Sequence, residues 1–101
     1  VVSFHGNLAL SGDAPQSVIR SRVLVLHGDA DPYVPVEEVR AFEEEMRATD
    51  VDWRMVSYGG AVHSFTDPLA QMPGQAMYDE AVAKDAFRQM RAFLADTFDV
   101  Q

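Results

Sequence analysis

The spacing of apolar positions changes several times along the chain, and each change marks an element. Val1 to His5 is a short β-branched and aromatic run closed by Gly6-Asn7, which predicts a buried strand. Ser11 to Pro15 is turn chemistry, and Gln16 to Ser21 connects onward. Arg22 to His27 then gives an unbroken apolar core, the pattern of a parallel strand covered on both faces. After Pro35 the period becomes helical. Val36, Val39, Phe42 and Met46 share one face, and Glu37 and Glu38 favour the positive end of the helix dipole. Glu43 and Arg47 stand in the favourable order for a surface pair.

Asp52 to Tyr58 alternates, with Trp53 and Met55 opposed to Arg54 and Val56, and predicts a third strand ended by Gly59-Gly60. Residues 61 to 76 read mostly as loop, broken by Pro68, Pro73 and Gly74. From Asp79 to about Phe98 a long amphipathic helix follows. Its stripe is Val82, Ala86, Met90, Phe93 and Thr97, widened by Phe87, Leu94 and Phe98. The expected fold is therefore α/β, a three-stranded parallel sheet with crossover helices, formed by the chain as one unit.

Composition narrows the function classes. Sixteen acidic residues against eight basic give a formal charge of −8, which repels phosphate backbones and anionic lipid, so nucleic acid and membrane are not expected partners. Cysteine is absent, which removes disulfides, thiolate metal sites and a thiolate nucleophile from these 101 residues. Apolar runs are far too short for a membrane span. The chain opens on Val1, without Met and inside a strand-like run, and this reads as the cut end of a longer protein.

Ligand groups in parallel sheets gather beyond the C-terminal ends of the strands. Two segments take that position: His27 to Pro35 after the second strand, and Gly59 to Phe65 after the third. Neighbouring strands lie about 5 Å apart, so a carboxylate in one loop can reach an imidazole in the other. Histidine suits proton transfer to and from a reacting group, and a carboxylate on its second nitrogen fixes the tautomer. Asp31 and His63 are the candidates. Asp29 competes with Asp31, and only the resemblance to a family, through the offset from Gly28 and Val34-Pro35, favours Asp31 and leaves Asp29 as a turn former. Acid before histidine is also the chain order of α/β-hydrolases.

Gly28-x-x-Asp31-x-x-Val34-Pro35 resembles the acid loop of α/β-hydrolases, and Gly60-Ala61-Val62-His63-Ser64-Phe65 resembles the histidine loop of the dienelactone hydrolase family. Val2-Ser3-Phe4-His5-Gly6, Tyr78-Asp79-Glu80-Ala81, Ala86-Phe87 and Phe93-Leu94 match that family too, so the likeness runs along essentially the whole chain. It implies three consecutive strands at the C-terminal edge of an α/β-hydrolase sheet. Carried over by position, it puts a triad acid at Asp31 and a triad histidine at His63, in a carboxylic ester or lactone hydrolase that needs no cofactor. The family's nucleophile, Cys or Ser in a Gly-x-[Cys/Ser]-x-Gly elbow, has no counterpart here, and neither do the oxyanion-hole donors. The resemblance thus makes the chain a C-terminal part whose nucleophile lies upstream, with a cytoplasmic location as the default.

Other readings stand beside this one. His5 and His27 close their strands and are expected to hydrogen-bond to nearby backbone. His5, His27, Asp29, Asp31 and His63 do not have the spacing of a metal motif. Ser64 is a poor surrogate nucleophile, being adjacent to the histidine it would need. Tyr33 and Phe65 flank the pair and are candidate substrate-binding residues, with core packing an equal account. As an alternative function, the chain would be a non-catalytic fragment used in binding or assembly. Val1 to Phe4 would then be an open apolar edge, and self-association through this first strand is expected.

Overall fold

A computed structural model describes residues 2–6 and 22–98. It contains β1 (Val2–Phe4), β2 (Val23–Gly28), α1 (Val36–Arg47), β3 (Trp53–Tyr58), β4 (Gln71–Met72), β5 (Ala76–Met77) and α2 (Glu80–Phe98). Strands β1, β2 and β3 form a parallel sheet in that spatial order, with Val2 opposite Leu24 and Val23 opposite Trp53. The turn and connection expected at residues 11 to 21 lie outside the described residues.

Every residue of the central strand β2 is buried, because the sheet is covered on both sides. Alternation along the strand divides its side chains between two cores. Val23 and Val25 pack with Val34, Phe42 and Met46 beneath α1, joined by Trp53 and Met55 of β3. Leu24 and Leu26 pack with Ala61, Phe65, Ala86 and Phe93 beneath α2, joined by Val56 and Tyr58. The apolar run of β2 is thus two half-cores written in one strand.

The helices begin and end where local chemistry directs. Pro35 stands in extended conformation immediately before α1, and Asp79 caps α2 by accepting from the Val82 amide at 3.1 Å through Oδ1. The apolar faces are narrower than the periodicity implies. On α1, Phe42 and Met46 are buried and Val39 is partly so, but Val36 is 56% exposed. On α2, Phe98 is 71% exposed and Phe87 is 40% exposed, its ring resting against Phe4 at 5.2 Å. Among the described residues Glu43 and Arg47 form no ion pair, whereas Glu80 and Lys84 do at 3.0 Å.

The far end of α2 is tied to the sheet by Arg22. Its guanidinium bonds Asp52 at 2.8 Å, Asp96 at 3.0 Å and the Thr97 hydroxyl at 2.7 Å, and lies 4.7 Å from the centre of the Phe93 ring. Tyr58, at the other end of β3, donates to Asp85 at 2.7 Å. No described helix is long and apolar enough to cross a membrane.

Residues 61 to 76, expected to be mostly loop, contain a small antiparallel ribbon. Strand β4 pairs with β5 around Pro73-Gly74, where Gly74 has φ +80° and the Gln75 amide returns to the Met72 carbonyl at 2.9 Å. Pro followed by Gly at the centre of a turn is the signal for that geometry. The burial pattern gives a direct check. Leu26→Ala is expected to destabilise the fold by roughly 2–5 kcal/mol, and Leu69→Ala, at an 85% exposed site, by no more than about 0.5 kcal/mol. Urea denaturation of the two variants measures the difference.

Candidate functional site

The loop after β2 and the loop after β3 are joined by backbone before any side chain is considered. The Asp29 amide donates to Tyr58 O at 2.9 Å, and the Ala30 amide to Ala61 O at 2.9 Å. Gly28 makes this approach possible. A Cβ on Gly28 would lie 2.7 Å from Ala61 O and 2.8 Å from Val62 O, closer than any side chain tolerates against rigid backbone. Strand pairing continues as loop pairing, and the two candidate residues are carried to the same place.

There, Asp31 Oδ2 lies 2.8 Å from His63 Nδ1. The carboxylate is fully buried, whereas the imidazole is 31% exposed. A buried carboxylate needs partners for both oxygens, and Asp31 has them: Oδ1 accepts from the Tyr33 amide at 2.8 Å, closing an Asx turn. With Nδ1 directed to the acid, Nε2 of His63 has no hydrogen-bond partner among the described residues. That is the arrangement in which an imidazole can accept a proton on one side while its ring is held and its charge balanced on the other.

The ribbon β4–β5 fixes the main chain of His63. The His63 amide donates to Gln75 O at 3.1 Å, and the Met77 amide donates to His63 O at 3.1 Å. Gln75 also meets the acid loop, because the Tyr33 hydroxyl donates to its Oε1 at 3.3 Å. Tyr33, half exposed, stands edge-on to the His63 ring with centroids 5.1 Å apart. It therefore lies at the mouth of the pair, where a substrate-binding side chain would be. Phe65 does not: it is fully buried in the α2-side core and presents no surface to a ligand, so core packing accounts for it.

Two further expectations are revised. Beside its own backbone, the His5 ring meets a side chain that was not expected, with Nε2 2.7 Å from Thr66 Oγ1. His27 is buried at the end of β2, and its Nδ1 has no partner among the described residues. Asp29 is exposed in the turn, as a turn former should be, and does not join the pair. No group of three described His, Asp or Glu side chains is placed to hold a metal. Gln75 and Thr66 escaped sequence analysis. The Pro73-Gly74 turn was a usable signal for the ribbon, but nothing local announced which residue it would deliver to His63.

This fold is that of a known group of proteins. The profile of the dienelactone hydrolase family matches residues 1–98, and the chain belongs to that family. It is similar to an uncharacterised Caenorhabditis elegans protein, 39% identical over 101 positions that cover 97% of this chain and 64% of that protein. Among solved structures, it is similar to a dienelactone hydrolase-like promiscuous phosphotriesterase from metagenomic libraries, at 39% identity and a TM-score of 0.87, covering 95% of this chain and 41% of that one. A putative dienelactone hydrolase from Klebsiella pneumoniae superposes with a TM-score of 0.75 at 25% identity, covering 99% of this chain and 41% of that one. The chain thus spans less than two thirds of the length of each of these relatives.

The two remaining histidines give the fold a pH dependence. The pKa of His5 is held below the ordinary 6.5 by burial and then by the nearby His63, against raising contributions from its own backbone hydrogen bond, Asp31 and Asp67. His27 is likewise lowered by burial, against Asp31 and Asp29. Histidines with depressed folded pKa bind fewer protons folded than unfolded, so their stability contribution is complete above about 6.5 and is lost as pH falls below it. The urea midpoint is expected to drop between about pH 7.5 and about pH 5.5, and to drop less in a His5→Gln, His27→Gln double variant.

Proposed function

We propose that Asp31 and His63 are the acid and base of a catalytic triad, in a carboxylic ester or lactone hydrolase of the dienelactone hydrolase type. The observation that carries this reading is the 2.8 Å contact between His63 Nδ1 and a fully buried, doubly bonded Asp31 carboxylate. This chain would be the C-terminal part of the enzyme's domain. The nucleophile, Ser or Cys, and the oxyanion donors would come from residues outside these 101. Support comes from the family membership, from the absence of Cys and of any Gly-x-Ser-x-Gly frame, and from the fraction of each relative that the chain spans.

In this mechanism Nε2 of His63 takes the nucleophile's proton as it attacks the acyl carbon, and returns it to the leaving alkoxide. It then takes a proton from the water that attacks the acyl-enzyme and passes it to the departing nucleophile, which restores the free enzyme. Asp31 remains ionised throughout and stabilises the imidazolium. Tyr33, at the mouth of the pair, is the candidate wall against the substrate. The enzyme would act in the cytoplasm on a small soluble ester or lactone and require no cofactor. Because one similar structure is that of a promiscuous phosphotriesterase, a phosphotriester belongs in the substrate panel.

The test is an assay of the full reading frame that encodes these residues, against an activated acetate ester. His63→Ala is expected to lower kcat by roughly 10²–10⁴-fold. The 101-residue chain alone is expected to do no better than free imidazole. A full-length protein with no nucleophile elbow, or one indifferent to His63→Ala, would remove the hydrolase reading.

A second reading is motivated by β1, which pairs with β2 on one side and has no partner strand on its outer edge among the described residues. As a non-catalytic fragment, the chain would self-associate by adding a strand at that edge. Light scattering at high concentration checks this, with a dimer or larger species expected and a clean monomer counting against it.

A further inference from the structure

Asp31 holds one side of the His63 ring, and a second histidine reaches the turn that carries His63 from the other side. His5 closes β1 with φ +40°, and Ser64, next to His63, has φ +58°. Among the described residues these are the two non-glycine positions in the left-handed region, where side chains are uncommon and where outliers gather at working sites. Both bends lie in the two segments that one contact joins. The bend at His5 accompanies a ring whose Nε2 lies 2.7 Å from Thr66 Oγ1, and whose plane stands edge-on to Phe65 at 5.0 Å and to His63 at 5.7 Å. One imidazole therefore meets residues 63, 65 and 66 of a single turn. Its own backbone is fixed in turn, because the His5 amide donates to Leu26 O at 2.8 Å. Leu26 is in β2, the strand that leads into the Asp31 loop.

We propose that His5 is a positioning residue for His63: through Thr66 it sets the turn so that Nδ1 lies on Asp31 and Nε2 faces outward. This rests on reading Asp31 and His63 as a working acid and base. The two histidines then have different tasks. His63 moves protons, and His5 locks the frame from the end of a neighbouring strand. The charged and titratable groups that act on His5 are His63, Asp31 and Asp67, and burial together with His63 favours its neutral form. A neutral ring can share one hydrogen with the Thr66 hydroxyl in either direction without placing a second positive charge beside an imidazolium.

The ring nitrogens of His63, observed by ¹⁵N NMR of the labelled 101-residue chain at alkaline pH, report its tautomer. The native chain is expected to hold the proton on Nδ1, toward Asp31, and Asp31→Asn is the control that loses this preference. Thr66→Val and His5→Phe are each expected to move the Nδ1–H to Nε2–H ratio by roughly two- to tenfold toward Nε2–H, the range that one neutral hydrogen bond supports. Thr66→Ser, which restores the hydroxyl, should recover the native signature. Thr66→Val keeps the shape of a partly buried turn residue, so it serves as the test even if His5→Phe does not fold. A folded Thr66→Val chain with the native His63 signature, or a Thr66→Ser chain as altered as Thr66→Val, would overturn the proposal. An inactive full-length protein with this coupling intact would count instead against the hydrolase reading alone.

Discussion

The parallel pairing of β3 with a β2 that is buried on both faces is the constraint from which the rest of this structure follows. Six residues of β2 are removed from water, and its first four point alternately into the core beneath α1 and the core beneath α2. Either helix alone would leave half of that strand exposed. Once the register is set by the two apolar faces, a slip of one residue would turn every β2 side chain to the wrong core. The register also decides where the strands end. His27 lies opposite Ser57 and Gly28 opposite Tyr58, so the loops that follow start side by side.

From that starting point the site is built outward by backbone. The Asp29 and Ala30 amides extend the ladder into the loops, and Gly28 admits the carbonyls of Ala61 and Val62 at a distance no other residue allows. The Asp31 side chain is consequently buried with little choice of conformation. Its charge is tolerable because Tyr33 supplies an amide and His63 a ring nitrogen, one for each oxygen. His63, more exposed, is restrained through its main chain by the β4–β5 ribbon and through its surroundings by Tyr33 and His5. A rigid acid and an imidazole fixed at several points and open on one side suit repeated proton transfer, because the frame need not reorganise at each step.

The strands and helices were legible because their signals are local. The unbroken apolar run of β2, the alternation of β3 and the helical period after Pro35 each come from the faces a residue must bury. Periodicity failed at the margins, where Val36, Phe87 and Phe98 match the stripe but stay exposed. It failed also at the ribbon, since strands of two residues carry too few positions to show a period. For the site, residue types and chain order indicated Asp31 and His63, and the resemblance to dienelactone hydrolases separated Asp31 from Asp29. Neither distinguished Tyr33, at the mouth of the pair, from Phe65, in the core. Both are aromatic residues two positions from a candidate, and only burial tells them apart.

What the sequence determined by itself is the fold class, the order of the elements, the family, and the chemical kinds of the two groups that meet. The fold class and the main elements follow from composition and spacing and the family from the resemblance of its motifs, none of which depends on where distant segments lie. The tertiary structure decided which atoms meet and what surrounds them. The Nδ1 contact with Asp31, the hold of Gln75 on His63 and the reach of His5 to Thr66 join residues 32, 12 and 61 positions apart. A contact between distant positions leaves no periodic trace in either segment. It exists only once both cores have closed and the strand ends stand together.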